Sequence, residues 1–385
     1  MPPPTTPSVL GGLRVLDVST LFPAGLLAAM LGDLGADVVK VESAGGDPLR
    51  SLGAPVWALA ARNKRSVRID LDTVAGVELL GELAAVTDVV VVNQPHAVLA
   101  RWGCTYDEVA ARNPGVVMVA VSGWGATGPY RDRPGNGTTA EAFAGLTHLT
   151  GEPDGPPLLA SVPIGDGVGA LAGVSGVLGA LYWRDARGGA GQLVDVSLYE
   201  PVLGLLGPAL ARMGAPGSSA TPRRTGSRIA GATPRNVYAT ADGRFVAVSA
   251  GTDAQVARVL DLIGHDDPGA GARFLRAADR AAHADELDAL VAAWVAARPA
   301  AKVVDAFVAA RLPAAPVNDL SELARDPHAR ARESVVSVED AQLGPVAMPA
   351  PGPRLAKTPA RMRGPGPALG AHTEDVTREW LGEPR

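Results

Sequence analysis

Cysteine is nearly absent. Cys104 stands alone, which excludes an internal disulfide framework and a multi-cysteine metal centre. It reads as a small, semi-buried side chain in a loop. The six histidines show no metal-ligand spacing, so no metal is expected. None of them pairs with Cys104 or a serine in a recognisable motif. The Gly-X-Ser-X-Gly frame of a nucleophile elbow is also missing, against a hydrolase of that kind. Neither sign of charge dominates: 35 Lys and Arg face 40 Asp and Glu, a net charge of −5. That balance argues against nucleic acid or a membrane surface as a general partner. An anionic ligand would need a local basic cluster. Long apolar runs are lacking too. The most apolar segment, Gly169 to Trp183, is 15 residues long, short for a bilayer. Its glycines and alanines describe a closely packed interior helix. Met1 to Val9 has neither the basic flank nor the apolar stretch of a secretory signal, so a cytoplasmic location is expected.

What is present is ample core material, 47% apolar residues, in a chain longer than one compact core usually covers. From residue 13 to about 197 a short β-rich run and an amphipathic run alternate. Strands are expected at Leu13 to Val18, Asp37 to Val41, Ser66 to Leu71, Asp88 to Val92 and Gly115 to Val121. Helices are expected at Gly25 to Leu34 and Thr73 to Val86. The near-continuous valine of Asp88 to Val92 suits a strand buried on both faces. Such alternation implies an α/β fold with a Rossmann-like parallel sheet. The bounds are a large domain over 1–212, a Gly/Ser/Pro/Arg-rich linker over 213–234, and a smaller α+β domain over 235–312. Residues 313–385 return to the large domain, irregular and Pro-rich apart from a helix near Glu374 to Leu381. Arg235 to Ala250 reads as a hairpin turning at Asp242-Gly243. Helices follow at Ala254 to Ile263, Asp285 to Ala297 and Ala301 to Ala310.

Three features could carry chemistry. In Gly165-Asp166-Gly167-Val168-Gly169 the aspartate carries the wrong sign for a phosphate-binding turn. Glycines on both sides would let a bulky ligand approach a carboxylate and turn loop amides toward the reacting atom. The plainer alternative is an Asp N-cap on the following helix. Ala61-Arg62-Asn63-Lys64-Arg65-Ser66 reads as a landing site for phosphates or as a solvated loop. Asn93 and Ser122-Gly123-Trp124-Gly125 close two successive strands, where ligands of open α/β sheets sit. His96 and His148 are the histidines nearest that cleft.

Together these segments resemble the family III CoA transferases, a group that includes formyl-CoA and carnitine CoA transferases and the α-methylacyl-CoA racemases. The resemblance rests on Gly12-Leu13-Arg14-Val15-Leu16-Asp17, on Leu31 to Glu42, on Asn63-Lys64-Arg65-Ser66 and on Leu99-Ala100-Arg101-Trp102-Gly103. Ser122 to Pro129, Leu312 to Val317 and Leu369 to Thr373 extend it. It implies that Asp166 is the catalytic aspartate and that Phe22, Pro23, Asn93 and Arg101 contact CoA. Lys40, Lys64, Trp102 and Asn136 join them as expected CoA contacts. It further implies an interlocked homodimer acting on an acyl-CoA and a small carboxylic acid. Ser43 stands where the family often has a basic residue. Asn136 stands where the racemases carry a His base, and Thr252 about where they have a supporting Glu. The expected activity is CoA transfer through an aspartyl-CoA thioester. An acyl-CoA racemase, with His148 or Glu141 as substitute base, and a non-catalytic CoA-binding protein are the alternatives.

Overall fold

The computed structural model describes residues 7–215, 221–229, 231–267, 269 and 273–382. Residues 1–6, and 216–220 and 230 of the expected linker, lie outside that set. The chain divides into two compact units. One comprises Met1–Leu146, Leu159–Pro216 and His328–Arg385; the other comprises Thr147–Leu158 and Gly217–Pro327.

In the first unit β1 (Arg14–Asp17) leads to α1 (Phe22–Asp33), then β2 (Asp37–Glu42), α2 (Ala54–Ala60), β3 (Lys64–Arg68) and α3 (Val74–Ala85). The second half runs β4 (Val89–Val92), α4 (His96–Arg101), α5 (Tyr106–Arg112), β5 (Val117–Ser122), α6 (Gly137–Ala144), α8 (Ile164–Arg187) and β6 (Leu193–Ser197), while α7 (Leu146–Leu149), between α6 and α8, belongs to the other unit apart from Leu146. Helices α9 (Tyr199–Leu205) and α10 (Gly207–Met213) follow. All six strands pair in parallel in the order β3-β2-β1-β4-β5-β6. This is the order of a dinucleotide-binding doubly wound sheet. Every residue of β4 is buried. Val15, Val89 and Val91 face the layer that holds α1 and α8, while Leu16, Val90 and Val92 face that of α3 and α5. The period of two along each strand therefore fills two separate cores, and both faces need apolar residues.

Helix α8 is longer than the apolar run inside it: its 24 residues span about 36 Å, enough to cross a bilayer by length and composition. Its small residues serve packing here. A Cβ at Gly173 would stand 2.2 Å from Leu27 Cδ1 of α1, and one at Gly176 would stand 2.6 Å from Val194 Cγ1 of β6. At its C-terminus Arg184 pairs with Asp88 at 3.1 Å and donates to Gly115 O at 3.0 Å. Both partners precede strands, so that end lies at the amino edge of the sheet. The N-terminus, with Asp166, therefore lies at the carboxyl edge, where α1 also begins.

The second unit holds the antiparallel pair β7 (Arg235–Ala239) and β8 (Phe245–Ser249), and α11 (Asp253–Ile263), α12 (Ala277–Ala282), α13 (Ala284–Ala296), α14 (Ala300–Ala309) and β9 (Ala314–Pro316). The turn at Asp242-Gly243 places Gly243 at φ 73°. Thr252 caps α11, its Oγ1 accepting from the Gln255 amide at 3.3 Å.

Downstream the chain is more regular than its prolines suggest. Helices α15 (Leu320–Arg325) and α16 (Pro327–Ala331) lead to an antiparallel hairpin of β10 (Val335–Asp340) and β11 (Gly344–Pro349). Its residues are half exposed apart from buried Met348, so the hydrophobic alternation that marks a strand is weak, and prolines are tolerated at such edges. Helix α17 (Thr373–Leu381) then returns to the sheet. The His372 amide donates to Ser66 O at 2.9 Å, and Trp380 Nε1 to Asp37 Oδ2 at 3.0 Å. Val376 and Trp380 enter the core on that face.

Candidate active site

Strand order reverses between β1 and β4, so the carboxyl ends of these strands flank the crevice in which doubly wound sheets hold ligands. Asn93 stands just after β4, and its amide spans the crevice. Its Oδ1 accepts from Thr20 N at 2.9 Å and its Nδ2 donates to Thr20 O at 2.6 Å. The side chain expected to meet CoA directly thus clamps the β1–α1 turn that presents Leu21, Phe22 and Pro23. Leu21 holds φ 62°, a costly backbone for a non-glycine residue that persists only when its surroundings enforce it. Phe22 leans on Trp57 and Leu49. Arg101 ends α4 and is exposed. Trp102 packs against the second core, and its buried Nε1 has no hydrogen-bond partner among the described residues.

The expected contacts Lys40 and Lys64 are placed differently: both ammonium groups lie beneath this edge, their side chains 2% exposed. Lys64 Nζ donates to Asp17 Oδ2 at 2.8 Å and Gly25 O at 2.7 Å. Lys40 pairs with Asp47 at 3.0 Å and Asp17 at 3.8 Å, and donates to Ser19 O. Asp47 in turn accepts from the amides of Leu21 and Leu49. Burial opposes ionisation of Asp17, but Lys40 and Lys64 outweigh it and hold its carboxyl below the usual range. Burial likewise opposes the charge on Lys40, yet Asp17 and Asp47 raise its pKa. These lysines brace the β1–α1 turn from below. The rest of the basic cluster is similarly committed, Arg62 to Asp33 at 2.6 Å and Arg65 to Asp37 and Glu379 at 2.6 Å each. A run of charges was legible in the sequence, but its partners, far away in the chain, were not.

Asp166 lies in the first turn of α8, two residues past the start, and Pro163 holds the N-cap position. The N-cap alternative for Asp166 therefore falls. Its half-buried carboxylate lies against the start of α6. A Cβ on Gly137 would stand 2.4 Å from Asp166 Oδ1, so only glycine leaves that seat open. Oδ1 is shielded from solvent and, among the described residues, makes no hydrogen bond of regular geometry, the Gly137 backbone lying close beside it. Burial raises the carboxyl pKa, the Gly137 backbone opposes the rise, and Glu141 adds to it. Gly165 packs on Gly137 O, where a Cβ would be 2.8 Å away, whereas a Cβ at Gly167 would meet nothing within 4 Å. One flank of Asp166 is thus sealed by backbone and the other is open to a ligand.

Asn136 is exposed and caps α6, its Oδ1 accepting from Thr139 N at 3.0 Å. His148 belongs to the second unit. The loop after β5 lies beside α6: Trp124 Nε1 donates to Pro134 O at 3.2 Å, and a Cβ on Gly123 would stand 2.8 Å from Gly135 Cα. Trp124 meets Phe143 at 5.1 Å between ring centroids, and Phe143 meets Tyr199 at 5.2 Å. These rings join α6 to the loop after β5 and to the start of α9. A hollow of about 550 Å³, lined by Arg50, Trp57, Arg65, Arg363 and His372 among others, lies in the same unit, with Asp166 absent from its lining. Asp166 is marked by burial and by its seat on Gly137, not by a hollow.

A half-buried carboxylate with an unpartnered oxygen, open on one flank beside the crevice of a doubly wound sheet, suits nucleophilic attack on a thioester carried by a nucleotide. Comparisons with known proteins place the chain in a family. The profile of CoA-transferase family III matches residues 10–373. The succinyl-CoA–D-citramalate CoA-transferase of Chloroflexus aurantiacus is 36% identical over 98% of this chain and 95% of its own length. The beta subunit of the succinyl-CoA–L-malate CoA-transferase of that organism is 37% identical, with the same two coverages. A CAIB/BAIF family protein from Brucella suis superposes with a TM-score of 0.84 at 28% identity, over 97% of this chain and 99% of that one. By its full-length kinship, this chain belongs to the family III CoA-transferases, enzymes that move CoA between acyl groups and carboxylates.

Proposed function

We propose that the chain transfers CoA from succinyl-CoA to a second small dicarboxylate or hydroxy-dicarboxylate, through Asp166. The observation that carries this reading is the Asp166 carboxylate, seated on Gly137 with Oδ1 unpartnered and shielded. The substrate class follows the printed names of the Chloroflexus relatives and of a succinate–glutarate CoA-transferase from Agrobacterium fabrum, 31% identical over 96% of this chain. An Asp166 oxygen attacks the thioester carbonyl carbon and expels CoA thiolate, giving a mixed anhydride. The thiolate attacks the Asp166 carbonyl carbon, the bond from that carbon to the bridging oxygen breaks, and the donor leaves as a free carboxylate carrying that oxygen. Asp166 is then an aspartyl-CoA thioester. The acceptor carboxylate expels the thiolate to form a second anhydride, and attack of that thiolate on the acceptor acyl carbon frees Asp166. Protons and electrons balance throughout.

Each intermediate is water-sensitive, so the backbone seat on Gly137 acts by excluding water from that flank of Asp166. CoA enters over Phe22, Pro23 and Trp102, with Arg101 toward a phosphate. Racemisation needs titratable groups on both faces of the α-carbon. Asn136 cannot titrate and its amide is committed to α6, which favours transfer. The working form is read as an interlocked homodimer in the cytoplasm. Exposed apolar residues along α8, Leu171, Tyr182 and Trp183, give such an assembly a surface to cover.

The test is succinyl-CoA with malate, citramalate and glutarate, in parent and Asp166→Asn proteins, with hydroxylamine trapping. Parent protein should form the acceptor CoA ester and, with hydroxylamine, carry a hydroxamate on the Asp166 peptide. Transfer by Asp166→Asn within about tenfold of the parent refutes the nucleophile, since losing a covalent catalyst costs far more.

A further inference from the structure

The first turn of α8 has no cap of its own. Pro163 at the N-cap position offers no side-chain acceptor, yet the opening amides of a helix lack intrahelical partners and need one when buried. The Ile164 amide goes to Val162 O at 2.8 Å and the Gly167 amide to Pro163 O at 3.0 Å. The buried Gly165 amide is satisfied from another helix: it donates to Glu141 Oε1 of α6 at 2.8 Å. Glu141 is 3% exposed, an unusual place for a carboxylate without a cation. Gly137, which seats Asp166, lies one turn earlier on the same face of α6. The peptide that carries the reactive aspartate is therefore held at two points, by backbone contact with Gly137 and by a charged hydrogen bond to Glu141.

We infer that Glu141 is a positioning residue for transfer through Asp166: by accepting the Gly165 amide it locks the first turn of α8 onto α6 and aims the Asp166 carboxylate at the thioester. This inference rests on the reading of Asp166 as nucleophile. The Glu141 charge has a second effect. Acylation turns the Asp166 carboxylate into a neutral anhydride or thioester, which relieves repulsion between the two carboxylates and favours the covalent intermediates. Other carboxylates on elements packed against α8 are committed elsewhere. Asp33, at the far end of α1, pairs with Arg62; Glu200 of α9 accepts from Ser197; Asp195 of β6 accepts from the Ala126 amide. Tyr199 of α9 points its hydroxyl at Glu200.

The experiment compares Glu141→Gln and Glu141→Ala with the parent and Asp166→Asn, measuring transfer from succinyl-CoA across pH. Glutamine keeps an acceptor oxygen and removes the charge. Its kcat should stay within about threefold of the parent, while the acid limb of kcat/KM moves to lower pH. Alanine removes both, and kcat should fall about 10²-fold, as for a small misplacement of a reacting group, with the KM for acyl-CoA nearly unchanged. A parental kcat in Glu141→Ala, a loss confined to KM, or an unmoved acid limb in Glu141→Gln overturns the inference. If Glu141→Ala does not fold, the acid limb of Glu141→Gln decides alone. Transfer at a near-parental rate by Asp166→Asn sinks the nucleophile reading itself. An inactive Asp166→Asn beside parental Glu141 variants sinks only the brace.

Discussion

Replacing Lys40 by Met keeps the volume of the aliphatic stem and removes the charge. Lys40 then no longer offsets Asp47 at 3.0 Å or Asp17 at 3.8 Å, and Ser19 O loses its donor. Lys64 still serves Asp17 at 2.8 Å, so the uncompensated charge falls mainly on Asp47. Breaking a buried ion pair from one side costs about 3–5 kcal/mol. In a unit of this size that lowers the melting temperature by roughly 6–20 °C. The effect is pH-dependent with a definite sign. The folded pKa of Asp17 is depressed, so its contribution is full above the unfolded value near pH 4 and is lost as pH falls through the folded value. The folded pKa of Lys40 is raised, so its contribution is full below about pH 10 and is lost as pH rises further. The gap between parent and variant is therefore widest from roughly pH 4 to 10 and closes on either side. Urea unfolding at pH 7, repeated near pH 3, measures it. A difference under about 1 kcal/mol at pH 7 would mean that the network is a solvated cluster whose charges screen one another, refuting the buried-brace account.

Two further outcomes follow from named side chains. Arg101→Ala should weaken CoA binding by about 1.5–3 kcal/mol, the worth of one charge-assisted contact, without changing the melting temperature; calorimetry that gives the parental affinity moves the phosphate elsewhere. Cys104 is buried, and burial, with Glu108 adding, pushes its thiol up to about 12. Iodoacetamide at pH 8 should leave it unmodified in native protein and alkylate it in urea, and labelling of folded protein would contradict its placement.

The parallel sheet was legible because its strands are buried on both faces, which leaves an unbroken apolar signature in Val89–Val92 and Val117–Ser122. Charged residues misled at two places for one reason. Strand β3 starts at Lys64, two residues before the expected start at Ser66, because Lys64 and Arg65 find acids on β1 and β2 rather than water. The same pairing buries the ammonium groups of Lys40 and Lys64. At the site, the glycines around Asp166 announced a carboxylate approached closely. Its seat on Gly137 and its brace on Glu141, 24 residues upstream of Gly165, were invisible because only the packing of α6 against α8 creates them.

That contrast has a physical root in what each residue does for the reaction. The nucleophile must be reachable, so glycines clear its surroundings and leave a local trace in the sequence. The groups that aim it must be rigid, so they lie inside and act across helices. Glu141 is 3% exposed and Asp17 is fully buried, and each meets partners distant in the chain. The short glycine motif therefore marks Asp166 and carries no trace of what holds it. Pairing each orphan amide at a helix start with its acceptor is the step that finds Glu141: Pro163 cannot cap α8, so some other acceptor must, and the helix that supplies it is the one that seats Asp166.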